Sequence, residues 1–356
     1  MRRLLYFLLL ISVFVSCREQ AADKSQISSE CTKQDSGRGI YFWKTKFNLN
    51  DYELDFLKEH DITRLYVKFF DVALENHPGD DTLSIIPIAT TRFESGFPED
   101  IEIVPTVYIT YEVLTHLKGK DIEEIESYTQ RILTRISAMI SYHEIKNVRE
   151  VQFDCDWTSS TSYIYDSICR YARLALHQKG QLFSITLRLH QMKLSKYYFP
   201  SADRGVLMLY NTGSFKNPDA TNSILTYNDA APYIRKHEVP FPVDYAYPTY
   251  SWNLLFRNNE FKCIVRDIDL TDSLLFQKSD YNKYTVQKDI VLGELSLKKG
   301  DMIRHENSDF KEIERVKSYL SRRHDMKNSR QLIYHLDSAN LTKFTDDEIK
   351  YMLLAY

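Results

Sequence analysis

The segment from Val151 to Thr158 alternates apolar and polar residues with a period of two, which predicts a β-strand. Its polar face carries Gln152, Asp154, Asp156 and Thr158. A carboxylate on a strand that is covered on both faces is costly unless it is paired or hydrogen-bonded. The two aspartates at the end of this strand therefore indicate a site, because α/β barrels hold their chemistry at the C-terminal ends of their strands.

Strand-like and helix-like segments alternate along most of the chain. Among the helices, the segment 121–142 has a clear apolar stripe that includes Ile125, Ile132 and Ile136. Alternation of this kind with eight strands predicts a (β/α)8 TIM-like barrel, and an open doubly wound sheet is the alternative. The eight predicted strands lie at 39–43, 62–70, 101–110, 151–158, 182–189, 206–210, 241–247 and 333–336.

One region departs from this alternation. Residues from about 252 to 304 contain short strand-like runs without helices between them, and Lys299-Gly300 is typical of a turn. We interpret this region as a small β-rich insertion between strands seven and eight. The barrel with its insertion then occupies residues 38–356.

The first residues have the features of a signal peptide. Arg2 and Arg3 precede an apolar run from Leu4 to Phe14, which is too short to be a typical membrane span. The following Ser16-Cys17 resembles the lipobox of bacterial lipoproteins, which implies cleavage before Cys17 and lipidation of its thiol. An ordinary secretory signal and an uncleaved anchor are the alternatives.

These features predict an exported protein in the bacterial cell envelope, anchored by lipid to a membrane, with the outer membrane expected. The signal peptide covers residues 1–17. Residues 18–37 are polar without hydrophobic periodicity, which predicts a flexible tether between the lipid and the domain.

Composition narrows the possible partners. A formal net charge of −3 gives no electrostatic reason to expect nucleic acid. The cysteines other than Cys17 match neither a zinc site nor a dense disulfide framework, and we predict no cofactor and no metal, with a monomer expected. The chain has 25 Tyr and 19 Phe, and aromatic rings are what sugar-binding clefts use to contact the apolar face of a pyranose.

Two motifs resemble a known family. Asp154-Cys155-Asp156-Trp157 resembles the end of the fourth-strand motif of family 18 glycoside hydrolases, the chitinases and their relatives, which runs Asp-x-x-Asp-x-Asp-x-Glu. Met208-Leu209-Tyr210-Asn211 resembles the sixth-strand Met-x-Tyr-Asp of the same family. The resemblance implies a glycan or polysaccharide as ligand, a catalytic set that includes Asp154, Asp156 and Tyr210, and a substrate contact at Asn211.

The departures from the family pattern concern its acids. The general acid Glu falls on Thr158, the first motif Asp on Val151, and the sixth-strand Asp on Asn211. In the family, the acid protonates the leaving oxygen while the N-acetyl group of the substrate is the nucleophile. A threonine hydroxyl is far too weak an acid to supply that proton at neutral pH. The resemblance therefore implies altered chemistry, a sugar-binding pseudoenzyme, or an acid supplied elsewhere.

Several residues at other strand ends are candidates to complete such a site. The fifth strand has its own polar row of Ser184, Thr186, Arg188 and His190, and Arg188 could pair bidentately with a carboxylate. The candidate replacement acids are Glu112, Asp71, Asp244 and Asp337, and the further candidate sugar contacts are Arg188, His190, Trp157, Asp244 and Tyr247, with Trp43 and Trp252 as ring platforms. Packing in the core is the alternative for each aromatic residue.

The first functional hypothesis is an exported glycoside hydrolase-like enzyme. Asp156 would orient or polarise the substrate with support from Asp154, Tyr210 would hydrogen-bond the reacting sugar, and Glu112 would be the acid. This hypothesis predicts a second carboxyl group about 5 to 10 Å from Asp156 across an open cleft.

The second hypothesis is a non-catalytic lipoprotein that binds glycans or a protein partner at the same rim. It predicts a cleft lined by aromatic residues, with the Asp pair held by Arg188 or Lys68 in an ion network and no free acid opposite. A metal site on Asp154, Asp156 and His190 is a third alternative that nothing in their spacing singles out.

Overall fold

The computed structural model of the protein describes residues 37–76, 83–235, 238–266, 268–293 and 295–355. The signal peptide with Cys17, and the tether except for its last residue, lie outside these residues and stay predictions. Within the part of the chain that the structure describes, no helix is long and apolar enough to cross a membrane.

Eight parallel strands form a closed ring around one core. The first strand pairs on one side with the second and on the other side with the eighth, and this double pairing closes the ring. The predicted (β/α)8 barrel is thus confirmed, and the open sheet is excluded. The strands are β1 (Arg38–Phe42), β2 (Ile62–Asn76), β3 (Glu102–Ile109), β4 (Glu150–Cys155), β5 (Leu182–Arg188), β6 (Arg204–Met208), β7 (Val243–Pro248) and β8 (Gln331–Tyr334).

Helices follow most of the strands and cover the outside of the ring. The helix after β1 begins with a reciprocal capping box between Asn50 and Glu53, which satisfies backbone N–H groups at its first turn. In the described part of the chain the helices are α1 (Asp51–Glu59), α2 (Tyr111–His116), α3 (Ile122–Tyr142), α4 (Ser162–His177), α5 (Tyr227–Ile234), α6 (Phe310–Ser321), α7 (Ser338–Leu341) and α8 (Asp346–Leu353).

The insertion between β7 and β8 is a separate small sheet. Five antiparallel strands pair in the spatial order Glu260–Val265, Ser251–Arg257, Met302–Asn307, Lys283–Val286 and Phe276–Lys278. A second, two-stranded ribbon joins Ile290–Leu292 to Leu295–Leu297. The insertion has its own apolar cluster, which contains Leu255, Val265, Phe276, Val286, Leu297 and Ile303.

The second strand is longer than its sequence pattern predicts. It continues past Phe70 to Asn76, and its last six residues pair antiparallel with the strand Leu83–Ile88. The partner strand supplies hydrogen bonds that a local pattern does not reveal. Asp71, predicted to follow β2, therefore lies inside it.

Candidate functional site

A cavity of about 250 Å³ lies at the C-terminal mouth of the barrel. Exposed Asn211 stands at its edge, and Met208 contributes to its wall. Its aromatic lining consists of Tyr41, Trp43, Tyr108, Tyr210 and Tyr334, and its charged or hydroxyl lining consists of Lys68, Asp71, Asp154, Thr186 and Arg188. The volume lies just below the roughly 300–1,000 Å³ typical of pockets for drug-sized ligands, so the cavity suits one ring-sized group.

The aromatic rings of the wall contact one another. Tyr210 and Tyr334 are stacked, with their centroids 4.7 Å apart and their planes inclined by 27°. The ring of Trp43 lies 6.1 Å from that of Tyr334 and 6.1 Å from that of Tyr41. These contacts fix the rings as a rigid apolar surface beside the polar groups.

The polar rows of β4 and β5 pair side chain by side chain across the barrel interior. Gln152 donates from Nε2 to Ser184 Oγ over 3.2 Å, and Thr186 Oγ1 donates to Asp154 Oδ1 over 2.5 Å. Both rows therefore point inward, as the alternation of the sequence predicts. Arg188, one step further, reaches the last carboxylate of the β4 row.

Arg188 holds Asp156 in a bidentate ion pair. Its Nε donates to Oδ1, and its Nη2 donates to Oδ2 over 3.0 Å. Asp154 and Asp156 together raise the pKa of the guanidinium against the opposing effect of burial. A forked, charge-assisted pair of this kind fixes the orientation of Asp156.

Asp154 is the buried carboxylate of the site, with 6% of its surface exposed. Burial raises its pKa to about 6, opposed by the charge of Arg188 and the hydrogen bond from Thr186, while the charges of Asp156 and Asp71 raise it further. Its Oδ2 accepts no hydrogen bond from any residue that the structure describes. The group is thus poised to take up a proton or a hydrogen bond from a ligand.

Lys68 and Asp71 form a second ion pair in the same cavity, with Nζ 2.7 Å from Oδ2. Burial raises the pKa of Asp71, and the hydrogen bond and charge of Lys68 oppose that rise. Asp71 Oδ1 is buried and takes no hydrogen bond within the described residues. Lys68 also lies over the ring of Trp43, 5.9 Å from its centroid.

The position of the family's general acid carries no acid here. Thr158 is half-buried in the turn after β4, and its Oγ1 lies 3.0 Å from Ser160 Oγ. Glu112, the proposed replacement, is exposed on α2 and does not line the cavity. The carboxyl groups that line the cavity are those of Asp71 and Asp154.

Three predicted sugar contacts lie away from the cavity. Trp157 is fully buried against Tyr165, so it belongs to the core. Tyr247 is also buried and donates its hydroxyl to Gln331 Oε1 over 3.1 Å. Asp244 is the second residue of β7 and therefore lies near the opposite end of the barrel, where it pairs with Arg204.

Three further candidates, His190, Asp337 and Trp252, also lie outside the cavity lining. A 3₁₀ turn, Leu189–Lys193, ends the alternation of β5, so His190 is exposed and does not line the cavity. Asp337 caps α7 and pairs with Lys44 at 3.0 Å. Trp252 donates its Nε1 to Glu306 Oε2 over 2.7 Å and is not part of the cavity wall.

The geometry of the described residues does not support the alternative of a metal site on Asp154, Asp156 and His190. Within the described residues, no group of three or more His, Cys, Asp and Glu side chains is placed to hold a metal ion.

Some residues of the site were not among the sequence candidates. Tyr41, Tyr108 and Tyr334 form much of the aromatic wall, and each lies at or near the C-terminal end of its strand. Their place near strand ends is a signal that could have identified them. It is weak, because most tyrosines in such strands belong to the core.

The similarity of this protein to known proteins lies in its fold. No protein-family model matches the sequence, and no curated protein matches it. The C-terminal domain of a putative chitinase from Desulfitobacterium hafniense DCB-2 matches with a TM-score of 0.51 and 11% identity, over 90% of this chain and 99% of that chain.

Two further solved structures match less well. The Bacillus cereus spore cortex-lytic enzyme SleL has a TM-score of 0.49 and 13% identity, over 89% of this chain and 74% of that chain. The chitinase ChiB from the chitin utilization locus of Flavobacterium johnsoniae has a TM-score of 0.47 and 14% identity, over 90% and 94%. The match to the Desulfitobacterium hafniense domain shows a chitinase-like (β/α)8 barrel fold, in agreement with the resemblance of the strand motifs.

Proposed function

We propose that this protein is an exported, lipid-anchored glycan-binding protein that holds one sugar ring in the cavity at the mouth of its barrel. The observation that carries the proposal is the Arg188–Asp156 ion pair beside the aromatic wall, with a threonine in place of the general acid. This is the arrangement expected of a site that binds its ligand without cleaving it, because Asp156 already has a partner and the acid position holds a threonine.

The aromatic wall supports sugar as the ligand class. A stacked Tyr210–Tyr334 pair with Trp43 nearby offers apolar faces, while Asp154 and Asn211 offer hydrogen-bonding groups at the same cavity. Sugars need both, because one face of a pyranose is apolar and its rim is polar.

Hydrolysis is the second candidate, and one observation favours it. Asp154, whose pKa burial raises to about 6, shares the cavity with Asp71, so the site holds one carboxyl group that can carry a proton and a second one near it. A general acid and a second carboxylate are the minimum that glycoside hydrolysis needs. Asp71 already has Lys68 as a partner, so we rank binding first.

The test is binding and turnover of a panel of polysaccharides and oligosaccharides by the protein and four variants. Trp43→Ala removes part of the wall, and Tyr142→Ala removes an exposed ring far along α3 as its matched control. Asp154→Asn removes the titrating carboxyl, and Glu112→Gln removes the carboxyl that the sequence proposed as the acid. The proposal is supported if the protein binds a glycan without cleaving it, and if Trp43→Ala and Asp154→Asn alter that binding while Tyr142→Ala does not.

Other outcomes have clear meanings. Cleavage that Asp154→Asn abolishes would establish the hydrolase instead. Cleavage that survives Asp154→Asn but not Glu112→Gln would return the role of acid to Glu112. Absence of binding to every glycan would overturn the glycan assignment.

A further inference from the structure

The charged groups around Asp154 do not balance. Two cations, Lys68 and Arg188, face three carboxylates, Asp71, Asp154 and Asp156, which leaves one negative charge when all five groups are ionised. The phenols that line the same cavity are neutral, since burial raises the pKa of Tyr41, Tyr108, Tyr210 and Tyr334. The excess charge therefore belongs to the carboxylates.

The excess charge is localised on Asp154. Arg188 places two donors on Asp156, and Lys68 donates to Asp71, so both cations direct their hydrogen bonds to carboxylates other than Asp154. Asp154 receives only the neutral hydroxyl of Thr186, on Oδ1. The charge of Arg188 opposes the pKa rise of Asp154 but does not cancel it. A cation brought by the ligand would relieve the remaining cost of the buried carboxylate.

Resting on the glycan-binding function proposed above, we propose that the cavity selects amino sugars that carry a free, protonated amine. The amine would donate to Asp154 Oδ2 while the ring contacts the aromatic wall. An N-acetylated sugar offers a neutral amide in place of the charge and adds an acetyl group to a chamber of only about 250 Å³. The acetylated form would therefore bind more weakly.

Binding of a protonated amine beside Asp154 would also change the protonation of this carboxyl group. A cation beside Asp154 favours its ionised form, so binding near pH 6 would drive a proton off the carboxyl group. Binding of an uncharged sugar lacks this coupling. Proton release on binding is therefore a second, independent signature of an amine at this position.

The experiment compares the tetramers of glucosamine and N-acetylglucosamine by isothermal titration at pH 6.5, on the protein, Asp154→Asn and Glu123→Gln. Glu123 is exposed on α3 and does not line the cavity, so it is the matched control for loss of one carboxylate. We expect the free-amine tetramer to bind at least about tenfold more tightly to the protein and to Glu123→Gln. Asp154→Asn should bring the two ligands within about threefold.

The same titration at pH 6 in two buffers of different ionisation enthalpy counts the protons released. Equal or tighter binding of the acetylated tetramer would overturn the amine selection and leave glycan binding intact. Absence of binding by either tetramer, where other glycans of the panel bind, would also overturn it. If nothing in the panel binds, the proposed function itself fails. The wild-type preference needs no variant, so an unfolded Asp154→Asn would not hide the answer.

Discussion

Replacing the titrating carboxyl of Asp154 by an amide should stabilise the protein above pH 6. Asn has nearly the shape of Asp, and its Oδ1 can still accept the hydrogen bond from Thr186 Oγ1. What it removes is the buried negative charge. The variant Asp154→Asn therefore isolates the electrostatic cost of that carboxylate.

The magnitude follows from the pKa. Burial raises the pKa of Asp154 from 3.8 to about 6, so the folded protein binds its proton more tightly than the unfolded chain does. Each step of one in pKa is worth about 1.4 kcal/mol, which gives about 3 kcal/mol in total. This contribution is fully present below pH 4, declines as the pH rises from about 4 to 6, and is absent above.

The assay is urea unfolding of the protein and of Asp154→Asn at several pH values between 3.5 and 8. The difference in unfolding free energy should grow across the window from pH 4 to 6 and reach about 3 kcal/mol in favour of the variant above it. Functional sites commonly trade stability for function. A destabilising carboxylate at the mouth of the barrel therefore indicates a functional site.

A matched substitution at the opposite end of the barrel should have the opposite sign. Asp244→Asn weakens the ion pair between fully buried Asp244 and largely buried Arg204, so it should destabilise the protein by several kcal/mol at neutral pH. Two results would contradict a costly charge on Asp154: destabilisation by Asp154→Asn at pH 8, or an effect that does not change between pH 4 and 6. Either result would mean that Arg188 already compensates the charge of Asp154.

Three further predictions concern the core and the N-terminus. Trp157→Ala should cost about 3–5 kcal/mol in urea unfolding and leave glycan affinity unchanged in the fraction that folds, since Trp157 packs in the core; a selective loss of affinity would return it to the site. Arg330→Met should cost about 3–5 kcal/mol because it removes the partner of buried Glu150, and a neutral effect would show that the pair is dispensable. Cys17→Ala should abolish incorporation of labelled fatty acid and release the protein from membranes, whereas unchanged membrane retention would contradict the lipobox assignment.

The sequence by itself determined the alternation of strands and helices and the inward faces of the strands, and it left an open sheet as the alternative to a barrel. Period two in 151–158 and 182–189 was enough to place Asp154 and Arg188 on the inward faces, because pleating assigns alternate side chains to opposite faces. The strand ends at Cys155, so Asp156 lies just beyond it and is partly exposed. The eightfold alternation of strands and helices was enough to predict a barrel, with its insertion before the last strand.

Only the tertiary structure decided which polar groups meet. The pairing of Arg188 with Asp156, and of Thr186 with Asp154, depends on the register between β4 and β5, which hydrogen bonds between distant segments set. Closure of the ring brought Tyr41 and Tyr334, from the two ends of the chain, beside Tyr210.

The same non-local geometry separated residues that look alike in sequence. Trp43 lines the cavity and Trp157 fills the core, although each follows a strand closely. Asp154 is the fifth residue of its strand and Asp244 the second of its own, so the two carboxylates lie toward opposite ends of one barrel. Depth along a strand decides whether an inward carboxylate faces a ligand cavity or pairs with an arginine at the other end of the barrel. Strand boundaries depend on partners that a local pattern does not contain.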